Sequence, residues 1–436
     1  MDFATSSHPG VQAQLDRRAA LSVPDGRLGL ETIHELLARL GDPHTRLPPV
    51  FHVAGTNGKG SSCAFLRAML EAEGYRVHVT TSPHLVRYNE RIRLAGKLIK
   101  DDHLAALLAE VLDASKGLNP SFFEVTIAAA FLAFSREPAD ACVVEVGLGG
   151  RFDATNVLGP EVLAACGIAA LGIDHERFLL APEEGVPTEP MARIAFEKAG
   201  IAKPGVPLVT LGDRYPPEAH AAIAEVAYQV GAPLFERGLY GAWAAKTGGG
   251  DGRVIYGEGE ACYFHSSPPG LPGRHQIDNA GLAIAMLRFQ NRLVVSEDSM
   301  KAGIGAARWP ARLQRLSPGP LAGTSEVWLD GGHNRSAGEA LAQAIEGEFH
   351  LIIGMIAGKD PRALIEPLGD RIRSLTVVPV PGHDSHQVEA FGPDARAAAD
   401  VEDALVALPS DDFPILIAGS LYLAGEVLRL NEEVPD

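Results

Sequence analysis

The sequence predicts an α/β protein made of two doubly wound domains, a larger N-terminal one and a smaller C-terminal one, and three observations carry that expectation. Short β-rich runs alternate with longer helical patterns along the chain, the mark of parallel α/β architecture. A glycine-rich turn, residues 53–62, stands between the first such run and the first long helical pattern. The alternation then begins afresh after Trp309-Pro310.

Taken in order, residues 50–53 (VFHV) read as a buried strand and 61–73 as the helix after it, with Phe65, Leu66, Met69 and Leu70 on one face. Residues 76–80 form a second strand. Residues 123–134 are a strongly apolar helix leading into 141–146 (ACVVEV), a strand buried on both faces up to its one carboxylate, Glu145. Residues 163–173 supply another strand ending in Asp174-His175. Residues 248–273 are rich in Gly, Ser and Pro and carry the alternation RVIY, which points to a small β excursion near the end of the first domain. The second set holds strands at 327–329, 350–355, 375–380 and 415–417, with helices at about 336–345 and 422–430. The expected division is therefore 1–306, a linker at 307–311, and 312–436.

With 436 residues, 46% of them hydrophobic, the chain can bury a large core. Its 55 Asp and Glu outnumber 38 Lys and Arg, giving a formal charge of -17 that repels polyanions. A general nucleic-acid or anionic-membrane binder is thereby disfavoured, and any phosphate must be held by a local site. Cys63, Cys142, Cys166 and Cys262 make no CxxC pair, so neither a zinc ribbon nor a disulfide framework is readable. Reduced thiols in a cytoplasmic protein are the simplest reading. The N-terminus lacks the pattern of a secretory signal, and no apolar run is long enough to span a bilayer.

The strongest local signal is the turn itself, comprising Gly55, Thr56, Asn57, Gly58, Lys59, Gly60 and Ser61. Glycine lets backbone N–H groups converge on a phosphate with no Cβ in the way, and a helix N-terminus adds favourable partial charge. Lys59 would contact terminal phosphates and Ser61 would help hold magnesium. Gly60 between lysine and serine departs from the general GxxxxGK[ST] spacing, and a plain glycine-rich turn is the alternative. Glu145 ends an apolar strand, where ligands of open α/β sheets bind, and burying its charge without a cation is costly.

AGTNGKGSS, followed by TSPHLVRYNERI at 81–92, resembles the folate branch of the Mur ligase superfamily, dihydrofolate synthase and folylpolyglutamate synthase. Further matches follow in the family's order: SFFEVTIAAAF at 121–131, VVEVGLGGRFDATNV at 143–157, GIDH at 172–175, IAFEKAGIAKPG at 194–205, GRHQIDNAGLAIA at 273–285, WPARLQRL at 309–316, LDGGHN at 329–334 and AGSLYLAGEVL at 418–428. The resemblance runs from about residue 30 to 430 and implies an N-terminal P-loop Mur-ligase-like ATPase domain with a smaller C-terminal Rossmann-like domain. It also implies the reaction: ATP phosphorylates a carboxylate, glutamate's amine attacks the acyl phosphate, and the intermediate collapses to amide and phosphate. Magnesium and cationic groups are needed to neutralise the transferring phosphoryl group.

By the same resemblance Glu145 is a magnesium ligand, with Ser82 and His175 completing a second metal position. Lys198 matches a lysine that the family modifies with carbon dioxide, the carbamate turning a cation into an anionic oxygen ligand; an unmodified lysine in a salt bridge is the alternative. Asn279 matches a position at the adenine and Arg312 an arginine directed at the phosphates, with a hinge ion pair as its alternative. Asp330 and His333 match residues at the ribose and the reacting centre, and the second domain is expected to close over the nucleotide. Ser420 corresponds to a position associated with glutamate, a helix N-cap being the other reading. The loop at 82–91, with Pro83, His84 and Arg87, mixes aromatic, apolar and basic groups suited to a pterin ring and benzoate tail. Phe123 lines the same cleft or belongs to the core; Arg151 and Asp153 position substrate or make a structural salt bridge.

Three departures carry weight. Gly332 and Arg335 stand where the family commonly has Ala and Pro; an insertion-like segment at 178–190 precedes Lys198; and the stretch upstream of Leu30 is unusual. His383 and His386 read as solvated. The expectation is an ATP- and magnesium-dependent ligase adding glutamate to dihydropteroate, and to reduced folates as well. A Mur-type ligase for another carboxylate and a P-loop switch remain as alternatives. Family members are often monomers, and a monomer with small-molecule substrates and no nucleic-acid or membrane partner is expected.

Overall fold

The computed structural model describes residues 5–19, 29–238, 241–248, 252–259, 261–409 and 411–436, with only the backbone of 261–263. Parts of the expected β excursion, residues 249–251 and 260, lie outside the described residues, as does the thiol of Cys262. Two compact units emerge: one of residues Met1–Ser82, Tyr88–Gly270 and Gln276–Arg308, the other of Pro83–Arg87, Leu271–His275 and Trp309–Asp436.

Among the described residues, the first unit holds an eight-stranded sheet of order β4-β3-β2-β5-β1-β6-β7-β8. Its strands are β1 Val50–Ala54, β2 Val77–Thr80, β3 Ile92–Leu94, β4 Lys97–Leu98, β5 Ala141–Glu145, β6 Leu163–Ile168, β7 Leu208–Thr210 and β8 Leu234–Glu236. The β1, β2, β5 and β6 runs are buried along their whole length, and β1 pairs in parallel with β5 and β6. The chain leaves β1 toward the β2 side and leaves β6 toward the β7 side. Their C-terminal ends thus form a topological switch point, where loops diverge and open a crevice. The apolar helix Phe122–Arg136 is started by a capping box, Ser121 Oγ accepting from Glu124 N and Glu124 Oε2 from Ser121 N. A three-stranded antiparallel sheet, β9 Trp243–Thr247, β10 Val254–Glu258 and β11 Ala261–His265, fills the position expected of the β excursion.

The second unit has a six-stranded sheet of order β12-β13-β17-β14-β15-β16, parallel except at its β12 edge. These strands are β12 Gln314–Arg315, β13 Val327–Leu329, β14 Phe349–Ile353, β15 Ile372–Val377, β16 Ala395–Ala397 and β17 Ile415–Ala418. Side chains alternate between two cores: Ile415 and Ile417 enter one, Leu416 and Ala418 the other.

The strand expected at 375–380 lies at Ile372–Val377, and two further boundaries move for a local reason. The strand expected to reach residue 173 stops at Ile168, because Ala169 and Ala170 bend to bond the glycine-rich turn: Ala169 N donates to Ala54 O, and Thr56 N and Asn57 N donate to Ala170 O. The helix after β1 starts at Lys59 and not at residue 61, since Gly58, at φ 82°, caps it in the left-handed region open to glycine. His383 and His386 are not solvated. Both are half-buried, the first against the Tyr422 ring at 4.0 Å and the second bonded to Lys359 O at 2.6 Å.

Candidate active site

The crevice at the ends of β1, β5 and β6 is lined by Gly55, Thr56, Lys59, Gly147, Leu148, Gly149, Asp174, His175, Leu179 and Lys198. Each part arrives by a local cause. The turn after β1 is laced to the segment after β6, where Thr56 Oγ1 donates to Gly172 O at 2.9 Å. Asn279, on the helix Gln276–Phe289, lies against the turn so closely that a Cβ on Gly58 would come 2.4 Å from its Oδ1. Its amide donates to Gln276 Oε1 at 2.9 Å. Ser61 is buried in the first turns of the Lys59–Ala72 helix.

Two amines meet at one carbonyl oxygen. Lys59 Nζ donates to Gly55 O at 3.1 Å and to Thr56 O at 3.3 Å, while Lys198 Nζ donates to the same Gly55 O at 3.0 Å. Lys198 is only 3% exposed, and burial, followed by the Lys59 charge, lowers its amine to about 7. Asp174, Asp153 and Glu197 oppose that shift. His175 sits at φ 53°, an unusual conformation for a residue with a Cβ, and its N–H donates to Asp174 Oδ1 at 2.7 Å. Asp174, Gly147 and Gly149 stand inside the sequence motifs without an assigned role there; the signal that could have found them is position just after a buried strand.

Glu145 and Ser82 form their own contact, Ser82 N donating to Glu145 Oε2 at 3.2 Å. The Glu145 carboxylate is 5% exposed, at the register position beside Val53 of β1. The oxygens of Glu145, Ser82 and Ser61 suit a hard cation such as magnesium, which uses one or two protein oxygens and completes its shell with phosphate and water; the His175 imidazole is a softer donor. Among the described residues no three His, Cys, Asp or Glu side chains gather as a metal cage.

Arg151 makes structural salt bridges, one of the two readings open to it, and Asp153 is held by hydrogen bonds within its own loop. Arg151 pairs with Glu183 at 2.5 Å and Glu197 at 2.8 Å, and Arg193 pairs with the same two carboxylates. Hydrogen bonding from Arg151, with Arg193 in support, holds the Glu183 carboxyl down at about 2. Glu183 belongs to the insertion-like segment, which is therefore tied to the helix Pro190–Ala199 that carries Lys198. Asp153 accepts from Leu148 N, Thr155 N and Thr155 Oγ1, and burial raises its carboxyl. The Phe123 ring covers Gly147, where a Cβ would lie 2.4 Å from Cζ.

Within the second unit, Asp330 is buried at the end of β13, His333 Nδ1 lies 3.2 Å from Gly331 O, and Arg312 is half-buried between Ala311 and Leu313. Ser420 is the N-cap of the helix Leu421–Leu430, its Oγ accepting from Tyr422 N at 3.1 Å. Pro83, His84 and Arg87 fall in this unit, and Arg87 Nη2 donates to Pro435 O at 2.8 Å. No helix among the described residues is long and apolar enough to cross a membrane.

No protein-family model matches the sequence. The dihydrofolate synthase/folylpolyglutamate synthase of Bacillus subtilis is 34% identical over 444 residues, covering 92% of this chain and 94% of that protein. The structure of Escherichia coli FolC in complex with DHPP and ADP superposes with a TM-score of 0.83 at 29% identity, over 98% of each chain. A bifunctional folylpolyglutamate synthase/dihydrofolate synthase with Mn, AMPPNP and L-glutamate bound gives a TM-score of 0.82 at 30% identity, over 96% of this chain and 97% of that one.

Proposed function

The chain belongs to the dihydrofolate synthase/folylpolyglutamate synthase family, and from that membership we propose how its own residues serve the family's reaction. The protein is an ATP- and metal-dependent ligase that adds glutamate to a folate-type substrate. We assign it both activities, on dihydropteroate and on reduced folates, through an acyl phosphate.

The observation that carries the assignment of residues is the convergence of Lys59 and Lys198 on Gly55 O, in the crevice that His175 also lines. Two cations on one acceptor repel, and the arrangement is relieved when one turns to phosphate and the other loses its charge. Lys59 takes the terminal phosphates, with the N–H groups at the start of the Lys59–Ala72 helix cradling the rest and Asn279 at the adenine. Lys198, already close to neutral at physiological pH, attacks carbon dioxide: an N–C bond forms, a proton leaves to water, and an anionic carbamate oxygen faces the metal. Glu145, Ser82, Ser61 and His175 would hold magnesium, which when bound would neutralise charge on the transferring phosphoryl group. Arg312 serves the phosphates and His333 the reacting centre. Asp330 stands at the ribose, its two carboxylate oxygens also accepting from Leu313 N and Gly332 N. Pro83, His84, Arg87 and Phe123 receive the pteroate, and the Ser420 turn receives glutamate.

We further take the protein to be a cytoplasmic monomer without a nucleic-acid partner, in keeping with its charge of -17. The test is phosphate release with ATP, glutamate and, in turn, dihydropteroate, tetrahydrofolate and a cell-wall peptide precursor. Release is expected with both pteridines and lost in Lys59→Ala, whose folding is intact by circular dichroism. Glutamate-dependent release with neither pteridine would defeat the folate assignment, and release that ignores every acceptor would favour a nucleotide switch.

A further inference from the structure

We propose that Glu183 is a positioning residue for Lys198, and that the insertion-like segment carrying it braces the helix Pro190–Ala199 against the turn that begins at His175. The inference rests on the carbamate reading of Lys198 given above, and adds to it the residues that hold the amine in place. His175 and Lys198 line one crevice, yet residues 180–189 between them form neither helix nor strand. Such a stretch has no ladder of its own and is fixed by what its side chains bond.

Four groups of alternating charge close a ring there. Glu183 Oε2 accepts from Arg151 Nη2 at 2.5 Å and from Arg193 Nη2 at 2.9 Å; Glu197 Oε1 accepts from the same two nitrogens at 2.8 Å and 3.0 Å. Arg151 also sends Nη1 to Glu183 Oε1 at 3.0 Å and Nε to Glu197 Oε2 at 3.2 Å, so its guanidinium forks onto both carboxylates. Arg193 and Glu197 are buried, and Arg193 Nε donates to Leu179 O at 3.1 Å. Leu179 lines the crevice and closes the turn begun at His175, its N–H donating to His175 O at 3.0 Å. At the far side of the ring the backbone around Lys198 is seated by direct contact. Arg151 N donates to Glu197 O at 2.7 Å, and a Cβ on Gly150 would lie 2.7 Å from Glu197 O and 2.9 Å from Lys198 O. The ring thus ties the His175 turn to the residues on either side of the Lys198 amide.

Without the Glu183 charge, two guanidiniums, one of them buried, are left to share Glu197, and the ring opens on the side of the insertion. A backbone shift at Glu197 passes to Lys198, whose Nζ now donates to Gly55 O at 3.0 Å. A displacement of an ångström or so is enough to disable a group that must sit in one place. The experiment supplies ¹³C-bicarbonate to the wild type, Glu183→Gln, Arg193→Lys and Lys198→Met, and follows the carbamate carbon by ¹³C NMR beside kcat and KM for ATP. The wild type is expected to give a saturable carbamate signal that Lys198→Met lacks. In Glu183→Gln the bicarbonate needed for half the signal should rise about 10-fold, with kcat at ambient carbon dioxide falling by a similar factor and KM for ATP changing less than about twofold. Added bicarbonate should restore kcat in that variant, a rescue that a merely destabilising substitution would not show. A carbamate signal in the wild type whose bicarbonate dependence is unchanged in Glu183→Gln would overturn the inference alone. Absence of any signal that depends on Lys198 would defeat the carbamate reading, and the inference with it. If Glu183→Gln melts below the assay temperature, Arg193→Lys decides by the same criteria, since a lysine keeps the charge but cannot bridge Glu183, Glu197 and Leu179 O at once.

Discussion

At the scale of single residues, the most informative group is Lys198. Its amine has a folded-state value of about 7 against 10.5 for an ordinary lysine, mainly because burial disfavours its charge. The unfolded chain therefore binds more protons between those two values, and stability rises with pH across that window. At or below pH 7 the penalty is fully present; by about pH 10.5 it is gone. Each pH unit of that window is worth about 1.4 kcal/mol, so the whole penalty is on the order of a few kcal/mol. In buffer free of carbon dioxide, Lys198→Met should be more stable than the native chain at pH 7, with the gap closing toward pH 10 in urea melts. Parallel stability curves for the two proteins would show that the lysine bears no such penalty. Lys198 was found only through the resemblance of its motif, whereas Glu145 was legible in the sequence because it ends an apolar run. Arg151 was not: the motif GRFD looks the same whether the arginine faces substrate or, as here, Glu183 and Glu197. Its partner Glu183 lies 32 residues away in a segment whose sequence has no period to read.

At the scale of elements, the helix Leu421–Leu430 does two jobs. Its N-cap is Ser420, and its middle packs on the segment Pro83–Arg87, for which we propose a substrate role and which belongs to the same compact unit. Gly425 is what permits the packing: a Cβ there would lie 2.0 Å from Leu85 O and 2.7 Å from Leu85 C, both backbone atoms. Leu85 and Val86 rest on the cluster containing Ala424, Val427 and Leu428. Gly425→Ala must displace the loop, at an overpacking cost of about 1–3 kcal/mol. Steady-state kinetics should show KM for the pteroate substrate rising by more than KM for ATP. Equal changes in both, or none, would mean that the loop's seat is immaterial to the substrate. The long buried elements, such as β1, β5 and the Phe122–Arg136 helix, were readable because burial imprints a continuous apolar run. The short ones were not. The hairpin of β3 and β4 turns through Ala95 at φ 46° and Gly96 at φ 89°, and Ala-Gly lacks the Asn-Gly or Asp-Gly signal that would have announced it. The strands β7 and β8, three residues each, are too short to show a period.

At the scale of the whole molecule, a chain of formal charge -17 must bring together ATP, a folate-type carboxylate and glutamate, all of them anions. Its overall field opposes every substrate, so binding depends on local cations set in low-dielectric surroundings, where a charge acts with less screening than in water. We propose that Lys59, at the end of β1, and Arg312 supply those cations. The central claim is that this charge arrangement activates the carboxylate by transferring a phosphoryl group to it. The direct measurement uses dihydropteroate labelled with ¹⁸O in its carboxylate and follows released phosphate by the ³¹P isotope shift. Phosphate carrying one ¹⁸O atom is the expected result; phosphate without label, at full amide yield, would contradict the acyl phosphate and the account built on it.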